Sequence, residues 1–172
     1  MSLCQQLEMR AAKGKPIRVG LIGAGKFGSM FLAQAQRVPG IHVVGVADLR
    51  VQSARSNLAY VGWPGEKFAA ASLDDAAADG TTCVLEDAIA LIRHPAVEIV
   101  LEATGHPPAA VEHGLAAFEA GKDVVNVTVE ADAFCGYGLA RRAEASGVLY
   151  SMAYGDQPAR TCDLVDWART CG

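Results

Sequence analysis

The chain has 172 residues, 51% of them hydrophobic and 20% charged, with a formal net charge of −4. That length predicts one folded domain with a sizeable core, and that composition excludes an intrinsically disordered chain. The mild acidity, with no basic cluster larger than Arg141-Arg142, argues against nucleic acid or an anionic membrane as partner. No apolar run approaches the roughly 20 residues that span a bilayer.

Residues 1–16 read as a leading helix and linker, carrying Leu3 and Leu7 and stopped by Gly14, which packs on the domain or on another subunit. The domain proper begins at Ile17. An apolar run (Ile17, Val19, Leu21, Ile22) leads straight into Gly23-Ala24-Gly25-Lys26-Phe27-Gly28. Phe27, Met30, Phe31, Ala35 and Val38 then recur at helical spacing until Pro39-Gly40. A second apolar run (Val43, Val44, Val46, Ala47) closes on Asp48. Strand, Gly-x-Gly-x-x-Gly turn, helix, strand and terminal acid is the order of a dinucleotide-binding βαβ unit. Gly23 makes the tight turn, Gly25 lets the backbone approach a pyrophosphate, and Gly28 lets helix and strand pack closely. The first-turn amides and the positive end of the helix dipole then face the phosphates.

Asp48 has two readings: a carboxylate accepting both hydroxyls of an adenosine ribose, or a surface acid capping the next helix. Asp48 alone predicts NAD. Arg50, just past Leu49, with Lys26 nearby, opens NADP, because an arginine there pairs with a 2′-phosphate.

A helix on Val51, Ala54, Leu58 and Val61 follows, broken by Gly62-Trp63-Pro64-Gly65. Glu66 to Gly80, rich in Ala and Asp, reads as a surface excursion. Cys83 to Leu85 is a third strand, and Glu86 or Asp87 caps a helix carrying Ala88, Leu91 and Ile92. Val97 to Leu101 is a buried strand that enters Glu102-Ala103-Thr104-Gly105-His106-Pro107. A helix with Val111, Leu115 and Phe118 on one face ends at Gly121; Asp123 to Val127 is a fifth strand. Ala131 to Ser146 reads as a helix interrupted at Gly136 and Gly138, and Val148 to Ser151 as a sixth strand. Gly155-Asp156-Gln157-Pro158 starts a last helix whose Leu164, Trp167, Ala168 and Cys171 share a face. The alternation predicts an α/β fold: a doubly wound parallel sheet of about six strands in the order 3-2-1-4-5-6.

In such a sheet ligands sit outside the carboxyl ends of the strands, where the strand order reverses. Three turns therefore line the site: Gly23 to Gly28, Ala103-Thr104-Gly105, and Asn126-Val127-Thr128. Thr104 is placed to donate a hydrogen bond on the nicotinamide side. His106 reads as a capping or solvent-facing histidine, and His42, His94 and His113 carry no signal. Glu130, Asp132 and Asp156 form no assignable acid–base pair. No nucleophile elbow, His-Glu-x-x-His zinc motif or P-loop is present. Cys4, Cys83, Cys135, Cys162 and Cys171 have no Cys-x-x-Cys spacing; most are expected as buried small hydrophobes in a reducing cytoplasm, with no metal.

The runs IRVGLIGAGKFGSMFLAQAQ, VVGVADL, VEIVLEATG, AAFEAGKDVVNV and VLYSMAYGDQP resemble the amino-terminal part of homoserine-dehydrogenase-like oxidoreductases. The resemblance points to the branch whose longer members carry a SAF domain, including enzymes similar to 1-deoxy-D-xylulose 5-phosphate reductoisomerase. It implies a nicotinamide cofactor, NADP ahead of NAD, lying along Gly23, Gly25, Lys26, Phe27, Gly28, Thr104 and Gly105. Two features depart from it. Asn126-Val127-Thr128-Val129-Glu130 lacks the lysine of the family's Thr-Ala-Asn-Lys-like run, and Gly155-Asp156-Gln157-Pro158 replaces a Gly-Gly-Ile-Pro-like element. Relatives continue into a substrate and oligomerisation domain. The expectation is thus a Rossmann domain over 17–156 and a helix over 157–172 leading towards that second domain, with self-association through its apolar face. Two functions remain open on these residues: hydride transfer between a nicotinamide and a small polar substrate, with or without a phosphate, and a non-catalytic dinucleotide-sensing module.

Overall fold

Six strands, β1 (Ile17–Ile22), β2 (Ile41–Ala47), β3 (Cys83–Leu85), β4 (Ile99–Glu102), β5 (Asp123–Asn126) and β6 (Tyr150–Met152), form one sheet in the order β3-β2-β1-β4-β5-β6. Every pairing is parallel. This is the expected doubly wound order, with the reversal between β2-β1 and β4. The computed structural model describes residues 1–153 and 157–171, and the side chains of all of these except 157–159.

Helices cover both faces. On one side α2 (Lys26–Ala35) and α3 (Val51–Tyr60) bury Leu32, Ala35, Ala54 and Leu58 against Val19, Leu21, Val43 and Val46 of the sheet. On the other, α4 (Leu73–Asp79), α5 (Ala88–Arg93), α6 (Pro107–Glu119) and α7 (Val129–Ser146) bury Leu73, Leu91, Ile92, Ala117, Phe118 and Leu139 against Ile22, Val44, Val100 and Val124. Strands buried on both faces have to be apolar throughout, which is why β1 and β2 read as unbroken runs rather than alternating ones. Fully buried leucines such as Leu21, Leu32 and Leu58 each contribute roughly 1.5–3 kcal/mol of transfer free energy.

The stretch 66–80 is not the surface excursion expected of it. It holds a 3-10 turn (Gly65–Phe68) and α4, and Phe68, Leu73 and Ala76 are buried in the two cores. Ser72 caps α4 by accepting from the Asp75 amide at 3.1 Å. The leading helix, α1 (Leu3–Ala12), begins with a reciprocal cap between Ser2 and Gln5 and packs on this domain: the Leu7 carbonyl lies against Gly40, so close that a Cβ there would fall 2.2 Å from it.

Helix α7 is interrupted at Cys135 (φ −142°, ψ 17°), beside the glycines that predict a break. The last helix, α8, spans Gln157–Cys171, and Leu164, Val165 and Trp167 on it stay exposed. Of its expected starting run, Gly155 and Asp156 lie outside the described residues. The cysteines depart from expectation: Cys83 is buried and Cys135 half-buried, whereas Cys4, Cys162 and Cys171 are exposed. Among the described residues no helix is long and apolar enough to cross a membrane, and no cluster of metal-ligating side chains occurs.

Candidate functional site

At the carboxyl end of β1 the chain turns sharply. Gly23 has φ +91°, and a Cβ on it would sit 2.6 Å from the Ala103 carbonyl oxygen. The turns after β1 and β4 are therefore in direct contact across the point where the strand order reverses. Gly28, in the first turn of α2, packs so closely that a Cβ would stand 2.2 Å from the Gly23 oxygen. A side chain at Gly23 would push the β1 and β4 turns apart, and one at Gly28 would push α2 off the β1 turn. Gly25 differs: a Cβ there would meet nothing within 4 Å. It is the N-cap of α2 and supplies no side-chain cap. The amides of Lys26, Phe27 and Gly28 thus begin a helix at an open surface, where the dipole and the unpaired N–H groups favour an anion.

Neighbouring side chains hold this turn rigid. Asp48 Oδ2 accepts from the Ala24 amide at 2.9 Å, while Oδ1 accepts from the Arg50 amide at 2.8 Å. Asn57 Nδ2 donates to the Ala24 carbonyl at 2.7 Å, so the Ala24 residue is clamped at both its polar groups. Ser29 Oγ donates to the Gly25 carbonyl at 2.8 Å. Asp48 is thus neither a free surface acid nor a helix cap, but a brace between the glycine turn and the turn after β2. Leu49, Arg50, Lys26 and Phe27 are exposed around it.

The other two expected turns are joined through a residue outside the expected site. Glu102, at the end of β4, is only 1% exposed. Its Oε1 accepts from Thr104 Oγ1 at 2.5 Å and lies 3.4 Å from His113 Nδ1 on α6. Its Oε2 accepts from Thr128 Oγ1, which in turn accepts from the Gly105 amide at 3.0 Å. Burial pushes the Glu102 carboxyl up, but the hydrogen bonds from His113, Thr104 and Thr128 outweigh it and leave the group below its ordinary range. The Thr104 hydroxyl thus donates inward to Glu102, not outward as its position suggested, and accepts from the His106 amide.

Asn126 and Thr128 are also buried. Asn126 Oδ1 accepts from the Thr128 amide, and its Nδ2 donates to the Thr128 carbonyl and to the Tyr150 hydroxyl, each at 3.1 Å. Burial, then the Asp132 carboxylate, pushes the Tyr150 phenol up. The Val127 amide donates to the Glu102 carbonyl at 2.8 Å. Together these shape the floor of the β4 and β5 turns. His106 caps α6, its Nδ1 accepting from the Ala109 amide at 3.3 Å, as its sequence context suggested. A cleft of about 320 Å³ lined by Ile41, Trp63 and Lys67 lies at the amino end of β2, at the opposite end of the sheet.

A doubly wound parallel sheet with an open glycine turn at its switch point defines a Rossmann-type, dinucleotide-binding α/β domain. A family model, the NAD-binding domain of homoserine dehydrogenase, matches residues 19–152. The chain belongs to that family.

Solved structures with the same fold include a homoserine dehydrogenase from Thiobacillus denitrificans (24% identity, TM-score 0.63, 80% of this chain and 29% of that one). Another is a biliverdin reductase from Synechocystis sp. PCC 6803 in complex with biliverdin and NADP+ (19%, TM-score 0.57, 81% and 38%). A third is an NAD-binding oxidoreductase from Klebsiella pneumoniae (21%, TM-score 0.57, 80% and 34%). The chain spans between 29% and 38% of these three proteins. No curated protein sequence matches it.

Proposed function

We propose that this chain is the cofactor-binding part of an NAD(P)-dependent oxidoreductase, in which hydride passes between a nicotinamide and a small polar substrate, with or without a phosphate. The observation that carries this reading is Gly25: the one glycine of the turn that packing does not require is the one a pyrophosphate needs for close approach. The Lys26, Phe27 and Gly28 amides hold the diphosphate. Ala103, Thr104 and Gly105, with Asn126, Val127 and Thr128, form the wall on the nicotinamide side, where the amide and hydroxyl of Thr104 are already committed to Glu102. Bound cofactor supplies the hydride chemistry; this chain binds and orients it. Positioning of that kind accounts for much of the rate of such reactions.

NADP is the preferred form in this reading. Both Asp48 oxygens already accept from backbone amides, which reduces what the carboxylate offers a ribose diol, while the exposed Arg50 and Lys26 offer cations to a 2′-phosphate. Titrating the purified chain with NADPH and NADH by isothermal calorimetry tests both statements. Arg50→Ala weakens NADPH about ten-fold, a charge-assisted pair being worth roughly 1.5–3 kcal/mol before solvent screening, and leaves NADH unchanged. Equal losses for the two cofactors refute the role of Arg50. Binding of neither refutes the function.

A further inference from the structure

Holding two turns together does not require a charge. A buried carboxylate carries a desolvation cost that apolar packing of similar volume avoids. At Glu102 that cost is met by donors converging from three elements: Thr104 Oγ1 and the Thr104 amide from the β4 turn, Thr128 Oγ1 from the β5 turn, and His113 from α6. Among the described residues no buried side-chain polar atom in this network lacks a partner. The cage lies beneath the Thr104-Gly105 and Thr128 turns, on the β4-β5 side of the switch point. A dinucleotide whose pyrophosphate rests on the glycine turn, with its adenosine half towards β2, carries its nicotinamide towards that side.

We propose that Glu102 is a charge-setting and positioning residue: its caged carboxylate makes this site favour the oxidised, positively charged nicotinamide over the reduced, neutral one. The inference rests on the dinucleotide reading above. The two redox forms differ by one unit of charge on the ring, and a fixed negative charge in a poorly screened interior attracts only the charged form. A group that interacted equally with both forms would shift nothing. The same bias appears as a change in the reduction potential of bound cofactor, since a tenfold affinity ratio for a two-electron couple equals about 30 mV.

The test compares three ligands by calorimetry: NAD+, NADH, and benzamide adenine dinucleotide, whose ring has the size and planarity of the oxidised nicotinamide but no charge. The wild-type chain binds NAD+ about ten-fold tighter than the benzamide analogue. Glu102→Gln brings the two within about two-fold by weakening NAD+ alone. A purely structural Glu102 gives a different pattern, with all three ligands losing affinity in parallel, and that result overturns the inference. So does a wild-type chain that binds NAD+ and the analogue equally, a comparison that stands even if the variant fails to fold. If none of the three ligands nor NADPH binds, the dinucleotide reading itself falls, and this inference with it.

Discussion

Gly25→Val separates the binding surface from the fold. The backbone at Gly25 has φ −70° and ψ −153°, an extended conformation open to L-residues, and a Cβ there meets no protein atom within 4 Å. Loss of a good N-cap residue costs about 1 kcal/mol, offset by roughly 0.4–1 kcal/mol because the unfolded chain loses freedom. The ligand-free thermal midpoint therefore moves by no more than about 3 °C. Binding changes far more, because the isopropyl group occupies the space a diphosphate needs. Ligand at a hundred times its dissociation constant stabilises the wild type by about 2.7 kcal/mol. With roughly 2.1 cal/mol/K of unfolding entropy per residue over 172 residues, that is a rise of about 7–8 °C. Differential scanning fluorimetry with and without NADPH reads both effects: the wild type shifts and Gly25→Val does not. A variant that keeps the full shift refutes the proposed path of the diphosphate; one that unfolds refutes the claim that Gly25 is free of packing.

Gly28→Ala behaves in the opposite way, since its Cβ would collide with the Gly23 oxygen at 2.2 Å; it lowers the ligand-free midpoint, by roughly 1–3 kcal/mol of stability, and a wild-type melting curve refutes the packing argument. Gly40→Ala combines a positive φ (+76°) with a clash against Leu7, so hydrogen exchange in α1 accelerates, whereas unchanged protection would mean that the helix does not rest there. Glu102 stabilises the fold as an anion, and its folded value lies below the ordinary 4.5; its contribution is complete above that value and is lost as pH falls through the folded one. Glu102→Gln is therefore less stable at neutral pH by roughly 1–3 kcal/mol, and the gap narrows on acidification; a gap that stays constant contradicts the assignment. A thiol reagent modifies Cys4, Cys162 and Cys171 quickly in the native chain and Cys83 only on unfolding, burial having also pushed the Cys83 thiol up.

The βαβ unit was legible because its signals are local: buried strands two elements apart, glycines at fixed offsets, and an acid where β2 ends. The same periodicity carried the sheet order. It failed where burial is assembled from distant pieces. Phe68 and Leu73 lie five residues apart among Ala and Asp, yet each fills a different core, and no single period describes both. Strand β6 pairs from Tyr150, opposite Val124, rather than from Val148, because the Val148 amide closes the end of α7 on the Ala143 carbonyl. Glu102 escaped notice because a glutamate at a strand end ordinarily reads as solvated. Its partners, Thr104, His113 and Thr128, come from three elements that only the folded sheet brings together. The pair of threonines following two adjacent central strands was the available signal. Asn57, which clamps Ala24 from α3, is 33 residues from it and left none.

Isothermal titration of the chain with NADP+ and NAD+ addresses the central claim most directly, because it asks whether the amides opened by Gly25 hold a diphosphate. The account predicts saturable one-to-one binding by the wild type, abolished in Gly25→Val while the circular dichroism spectrum is preserved. A folded wild-type chain that takes up neither dinucleotide would contradict it.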